Sequence, residues 1–108
     1  MKTLLLVFLL AYSSFSFAGF KLRTQATFTA TTTSTKILNG SSYRTYLMMI
    51  NNGANSVAVK VGSAHTGFEG VVIPSGGYYE PFVAPSDSIY LISTSGTSAV
   101  FVLEGGTQ

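Results

Sequence analysis

Short apolar stretches broken by turn-forming residues are the feature that most constrains the fold of this chain. Segments 43–50, 56–62, 89–94 and 98–104 are apolar or alternate apolar with polar residues, and Gly, Asn or Ser follows each of them. They lack the three- and four-residue apolar spacing of an amphipathic helix, and a period of two is typical of β-strands. The pattern predicts an all-β chain.

The spacing of these stretches predicts a small antiparallel β-sandwich or jelly roll of about seven or eight short strands. Segment 43–50, YRTYLMMI, is apolar on both alternating faces, so we expect a central strand covered on both sides. Segment 56–62, SVAVKVG, is expected to return as its hairpin partner, with its alternate valines facing inward (Val57, Val59 and Val61). This sandwich domain is expected over residues 37–108.

Residues 1–18 differ in character from the rest of the chain. One lysine precedes an apolar run from Leu4 to Tyr12, and small or semi-polar residues follow it up to Ala18. This is the plan of a secretory signal peptide cleaved after Ala18. The run is shorter than the roughly 20 residues that a membrane-spanning helix needs. The alternative is an uncleaved hydrophobic segment that packs into an assembly or contacts a membrane through Leu4 to Tyr12.

Residues 19–36 are rich in threonine, with seven threonines among the thirteen residues 24–36. Threonine is β-branched and favours extended backbone. Two interpretations stay open: an edge strand with one solvated face, or an extended arm that adds as a strand to a neighbouring subunit. The candidate interface residues of this segment are Thr27, Phe28 and Thr29.

Charge is unevenly distributed along a chain whose net charge is +2. Residues 19–60 hold five basic residues and no acidic one, whereas residues 61–108 hold four acidic residues and no Lys or Arg. This predicts either ion pairs between the two halves within the fold, or head-to-tail association of copies through oppositely charged surfaces. The small net charge and the lack of a dense Lys/Arg patch argue against a nucleic-acid partner.

The residue inventory leaves little material for catalysis or metal binding. The chain has no cysteine, which excludes disulfides, thiolate nucleophiles and cysteine-based zinc sites. His65 is the single histidine, and neither a G-x-S-x-G motif nor a Gly-rich phosphate loop is present. We therefore predict no enzymatic activity, no catalytic residue, no metal site and no cofactor.

Aromatic residues surround a proline in segment 78–83, YYEPFV. Pro81 confines this segment to a sheet edge, because proline cannot donate a hydrogen bond to a neighbouring strand. Tyrosine combines an apolar ring with a polar hydroxyl, which suits a protein interface; an aromatic platform for a sugar is the alternative. The candidate interface residues here are Tyr78, Tyr79, Glu80 and Phe82.

Five segments follow one another between Tyr43 and Gly105: a strand ending in NNG, the strand VAVKVG, the segment IPSGGYYEP, the strand IYLIS and the closing VFVLEG. This order resembles small all-β virion structural proteins of bacteriophages. The resemblance implies an oligomeric capsid decoration, tail or fibre-associated protein. The hydrophobic leader departs from that pattern, because virion proteins that assemble in the cytoplasm carry no export signal.

We therefore expect a non-enzymatic structural protein that acts in a virion. Its partners would be further copies of itself and other particle proteins, because about 90 residues without disulfides bury a small core that oligomerisation would stabilise. The alternative is a secreted or cell-surface bacterial filament subunit. In that case the threonine-rich segment would complete the next subunit by strand addition.

Overall fold

The computed structural model describes residues 19–107 and shows an all-β chain, which confirms the predicted fold class. Eight strands follow one another in this part of the chain, and no helix occurs in it. Their bounds are β1 Lys21–Ala30, β2 Thr35–Leu38, β3 Arg44–Asn51, β4 Val57–Val61, β5 Val71–Ile73, β6 Tyr78–Tyr79, β7 Ile89–Ser93 and β8 Ser98–Gly106. The hydrophobic segment 1–18, with its predicted cleavage site, lies outside the described residues.

The strands form two four-stranded sheets, in the orders β1-β8-β3-β6 and β2-β7-β4-β5. Every pairing is antiparallel. The ladders join the first strand to the eighth, the second to the seventh, the third to the sixth and the fourth to the fifth, like one long hairpin that has been rolled up. This is the jelly-roll form of the β-sandwich. Consecutive strands, except β4 and β5, therefore lie in opposite sheets.

The two sheets pack on each other through side chains that alternate along each strand. In β3, β7 and β8 every second residue is buried and the residues between are partly exposed, apart from local irregularities at strand ends. The buried apolar core consists of Ala30, Leu38, Leu47, Met49, Val57, Val59, Ile73, Ile89, Leu91, Val100 and Val102. Fully burying one Val, Leu, Ile or Met side chain contributes about 1.5–3 kcal/mol to the stability of the fold.

Two expectations for the strand β3 are wrong. It pairs with β8 and β6, whereas β4 pairs with β5 and β7, so the two strands form no hairpin: the loop between them carries the chain from one sheet to the other. Only one face of β3 is covered, because Met48 and Ile50 on its other face stay partly exposed. The expectation that Val61 faces inward is also wrong: Val61 is the last residue of β4, lies outside the core and is 38% exposed.

A β-bulge between Arg44 and Tyr46 changes which side chains of β3 face the core. Simple alternation puts Arg44 on the face opposite Leu47, but the bulge turns it inward, where it is 4% exposed. Its Nε donates to Oε2 of Glu104 at 2.6 Å. Its other nitrogens donate to the carbonyls of Asn39, Pro85 and Asp87. The buried charge is thus paired and hydrogen-bonded, as burial requires.

Asn51 anchors the opposite end of β3 and is fully buried. Its Nδ2 donates to the carbonyls of Asn55 at 2.8 Å and Ile73 at 2.9 Å. Its Oδ1 accepts from the backbone N–H of Gly53 and from the hydroxyl of Ser98. Both polar atoms of the side chain are therefore satisfied, and one residue holds together two loops and the start of β8.

The threonine-rich stretch is divided between the two sheets. β1 lies at an edge of the first sheet and pairs with β8 along its length, whereas β2 lies at an edge of the second sheet and pairs with β7. Residues 31–34 connect the two strands across the side of the sandwich.

Candidate interaction surface

The first sheet has one face against the core, and we call the opposite one the outer face. It is lined by Gln25, Thr27 and Thr29 of β1, Ala99, Phe101 and Leu103 of β8, Tyr46, Met48 and Ile50 of β3, and Tyr78 of β6. The strand registers align Thr27, Phe101, Ile50 and Tyr78 in one row across all four strands. A contiguous apolar surface of this kind is typical of a protein interaction site.

The candidate interface residues of β1 fall on both sides of the sheet. Thr27 and Thr29 are exposed on the outer face, whereas Phe28 is partly buried and packs against the core. The alternation of side chains along a strand gives this result, because successive residues point to opposite faces.

The candidate residues around Pro81 also separate. Tyr79 packs against the core, whereas Tyr78 is 70% exposed and Phe82 is fully exposed, with Val83 beside it at 76%. Tyr78 and Thr27 therefore share the outer face but lie at its opposite edges, and the structure does not bring the two candidate groups together.

Glu80 connects this edge to the outer face. Its Oε2 accepts a hydrogen bond from the hydroxyl of Tyr46 at 2.6 Å, in an exposed position. The bond, helped by slight burial and by the carboxylate charge, raises the pKa of Tyr46 above its ordinary value of 10.0. The tyrosine thus remains a neutral hydrogen-bond donor and orients the carboxylate.

The middle of the outer face was missed by sequence reasoning. The sequence predicts that Met48 and Ile50 are covered, because segment 43–50 is apolar on both faces, and it does not single out Phe101 and Leu103. A strand that is apolar at nearly every position is ordinarily interpreted as covered on both faces. Here the second sheet covers only one face of β3 and β8, so their other face, which is part of the outer face, stays open to a partner.

An open cleft lies on the side of the sandwich where β1 and β2 form the edges of opposite sheets. It holds about 450 Å³. Phe28, Ile37 and Leu38 give it apolar walls, and Thr24 and Glu104 are among its polar lining. Thr24 donates its hydroxyl to Oε1 of Glu104 at 2.7 Å, so both oxygens of this carboxylate accept hydrogen bonds.

The segregated charges pair in part across the two halves of the chain. Arg44 and Glu104 form one ion pair between the halves. Lys60 and Glu69 form another, with Nζ of Lys60 2.7 Å from Oε1 of Glu69. Lys60, together with the N–H and hydroxyl of Thr66, holds the pKa of Glu69 at about 2. Among the described residues, no such ion pair is formed by the basic Lys21, Arg23 and Lys36 or by the acidic Glu80 and Asp87. Some basic and acidic surface therefore remains for association. Arg23 instead lies over the ring of Tyr43, 5.6 Å from its centre.

His65 holds the loop after β4 against the connection between β1 and β2. Its Nδ1 lies 2.7 Å from Oγ of Ser34, and the same oxygen accepts from the backbone N–H of His65 at 3.0 Å. Its Nε2 is buried without a hydrogen-bond partner in the described part of the chain. Burial lowers the pKa of His65 below 6.5, against the opposing effect of the nearby carbonyl of Ala58.

No group of three or more His, Cys, Asp or Glu residues that could hold a metal ion occurs within residues 19–107. The same part of the chain contains no helix long and apolar enough to cross a membrane. The described geometry thus offers surfaces, an edge strand and one cleft as its candidate functional features.

No protein-family model matches the chain, and no curated protein matches it.

Proposed function

We propose that this chain is a non-enzymatic structural subunit of a virion, acting as a capsid decoration, tail or fibre-associated protein. The observation that carries the proposal is the outer face of the first sheet, a contiguous apolar surface on a chain of low charge. Such a surface is costly in water and is stabilised when another protein covers it.

Two further points support the virion as its setting. The segment order between residues 43 and 105 resembles that of phage virion proteins, and jelly rolls are a common architecture of viral capsid domains. The second point is an analogy of fold, and fold alone does not determine function. The outer face therefore remains the main support.

The alternative is a secreted or cell-surface filament subunit that polymerises by strand addition. The observation that favours it is β1, an edge strand of ten residues with one side free of any strand partner among the described residues. In this structure β1 pairs with β8 of its own chain. Exchange of β1 between subunits would require that ladder to break, whereas addition of a neighbour's strand to its free side would not.

The test is the distribution of the native protein in a density gradient of its source culture. We expect it to band with a uniform particle that contains nucleic acid. Recovery in a nucleic-acid-free filament fraction would favour the alternative, and recovery only as a soluble protein would overturn both.

A pair of matched variants connects this test to the outer face. Tyr78→Ser removes an exposed aromatic ring from the outer face, and Val72→Ser removes an apolar side chain of comparable exposure, 52%, from the edge of the other sheet. We expect the first variant to be lost from the particle band and the second to remain. Equal retention of both variants would show that the outer face makes no contact there.

A further inference from the structure

We propose that the free side of β1, together with the cleft beside it, is a self-complementary interface for a second copy of this chain. The inference rests on the proposed function as a self-associating structural subunit, and it names the partner. Two β1 strands would pair antiparallel about a two-fold axis through the middle of the strand, joining the first sheets of both copies into one sheet of eight strands.

The backbone of β1 is unpaired along one side of the strand among the described residues. In an antiparallel ladder alternate residues direct their N–H and C=O groups away from the bonded neighbour. β1 has β8 on one side and no strand of the described residues on the other. The row of free donors and acceptors over Lys21–Ala30 is a template for another strand.

The four sheet edges formed by residues 19–107 differ in length. β2, β5 and β6 span four, three and two residues, whereas β1 spans ten. Only β1 offers enough ladder positions to hold a second chain mainly by backbone hydrogen bonds. The features that usually protect an edge are confined to the first residues of β1, where Lys21, Arg23 and a β-bulge between Leu22 and Thr24 lie, and residues 25–30 contain no proline, charge or bulge.

The charges of β1 lie at one end of the strand. Lys21 and Arg23 lie at the start of β1, and residues 24–30 are uncharged. Antiparallel pairing about the middle of the strand sends the basic ends in opposite directions, which places the two Arg23 positions about 20 Å apart. At that distance solvent and salt screen their repulsion. A parallel pairing would bring the same charges side by side.

The cleft is lined by residues of β1 itself, among them Thr24 and Phe28. Thr24, Ala26 and Phe28 point to the same side of β1, because alternate residues share a face. In the antiparallel pair, Phe28 of the second copy would lie opposite the Thr24–Ala26 part of β1, on the side of the cleft. Its ring packs against its own core and lines its own cleft, so the exposed edge of the ring would face the cleft of the first copy. The two-fold symmetry repeats this contact in the other cleft, as an isologous interface requires.

Ala26 gives the sharpest test, because it is exposed in the single chain and would lie next to its own copy in the pair. We expect the purified full-length chain to sediment as a dimer. Ala26→Lys and Ala26→Glu should each weaken dimerisation about 100-fold or more, because they place like charges together in the interface. An equimolar mixture of the two variants should restore the dimer.

The matched control is Ala54→Lys, the same substitution at an exposed loop position away from β1. It should sediment as the unmodified chain does, and circular dichroism should show that all variants are folded. If Ala26→Lys fails to fold, amide hydrogen exchange of the unmodified chain provides the second test, because the N–H groups on the free side of β1 should be protected in the dimer and exchange rapidly in the monomer. A monomeric unmodified chain, or dimers that Ala26→Lys leaves intact, would overturn the proposal.

The outcomes separate this inference from the proposed function. A chain that bands with particles through Tyr78 while Ala26→Lys has no effect on its dimers would refute the β1 interface alone. A chain that dimerises through Ala26 yet bands with no particle or filament would refute the proposed function and leave the interface standing.

Discussion

Single polar residues inside this sandwich determine how its ends are held. Arg44 and Glu104 form a buried ion pair at one end of β3, and Asn51 satisfies both of its polar atoms at the other end. A buried charge is tolerated when its partner and its hydrogen bonds are complete, and it is costly when one of them is removed.

Replacing Glu104 with Gln should therefore lower the free energy of unfolding by about 3–5 kcal/mol, because the Arg44 charge stays buried without its carboxylate. Denaturant unfolding monitored by fluorescence or circular dichroism would measure the change. The control is Glu80→Gln on the surface, which should change stability by less than about 0.5 kcal/mol. Equal effects of the two variants would contradict the assigned role of the buried pair.

His65 should make stability depend on pH in a defined window. Its pKa in the folded chain is lowered below 6.5, so the unfolded chain binds more protons between the folded pKa and about pH 7. The free energy of unfolding should fall as the pH drops through this window and level off below the folded pKa. In His65→Asn the contribution should vanish; a slope unchanged in this variant would assign it to another group.

Glu69 should affect stability at lower pH than His65, because its contribution changes only below its ordinary pKa of 4.5, as the pH falls toward about 2. A carboxylate whose folded pKa is depressed contributes stability above its unfolded pKa, and this contribution is lost as the pH falls toward the folded value. The contact with Lys60 should therefore weaken only under strongly acidic conditions.

At the scale of elements, the sequence predicted the strands better than their pairing. The alternation in residues 98–104 and the turn signals around Pro74 and Ser95 correctly placed β8 and the ends of β5 and β7. Pairing is a long-range property: β3 and β4 are neighbours in sequence, yet the loop after Asn51 carries the chain to the opposite sheet.

The outer face could be predicted only in part for the same reason. Thr27 and Tyr78 carried local signals, the first in an alternating pattern and the second in a tyrosine pair before a proline. Phe101 and Ile50 join the same row only through the registers of β8 with β1 and β3. The inward turn of Arg44 depends on a bulge that simple alternation does not encode.

Gly106 tests the close approach of β8 to the start of β3. A Cβ atom at this position would overlap the carbonyl of Tyr43, which is backbone and cannot move aside cheaply. Gly106→Ala should therefore lower the free energy of unfolding by about 1–3 kcal/mol or more. Gly67→Ala is the control, because an added Cβ meets no atom within 4 Å there. A stability equal to that of the control would mean that the two strands separate without cost.

At the scale of the whole molecule, the jelly roll consists almost entirely of contacts between distant segments. β1 pairs with β8, and β2 with β7, so the chain must close long loops before these ladders form. Domains dominated by such pairings fold in milliseconds to seconds, whereas helical bundles of similar size fold much faster. The position of β8 between β1 and β3 makes it necessary for the whole first sheet.

Refolding from denaturant should accordingly take from about milliseconds to seconds. Stopped-flow dilution with detection of tyrosine fluorescence would measure it, since the chain has six tyrosines and no tryptophan. Complete refolding within microseconds would be incompatible with this order of strands.

The position of β8 also has a consequence for biosynthesis. Translation at about 5–20 residues per second leaves roughly 4 to 15 seconds between the synthesis of Ala30 and that of Gly106. Throughout this interval the first sheet lacks a central strand, so the nascent chain stays open. An open chain is the form that can be threaded through a membrane pore, which is compatible with the secretory leader predicted from residues 1–18. The late synthesis of β8 would therefore leave the edges of β1 and β3 that pair with it unoccupied for several seconds.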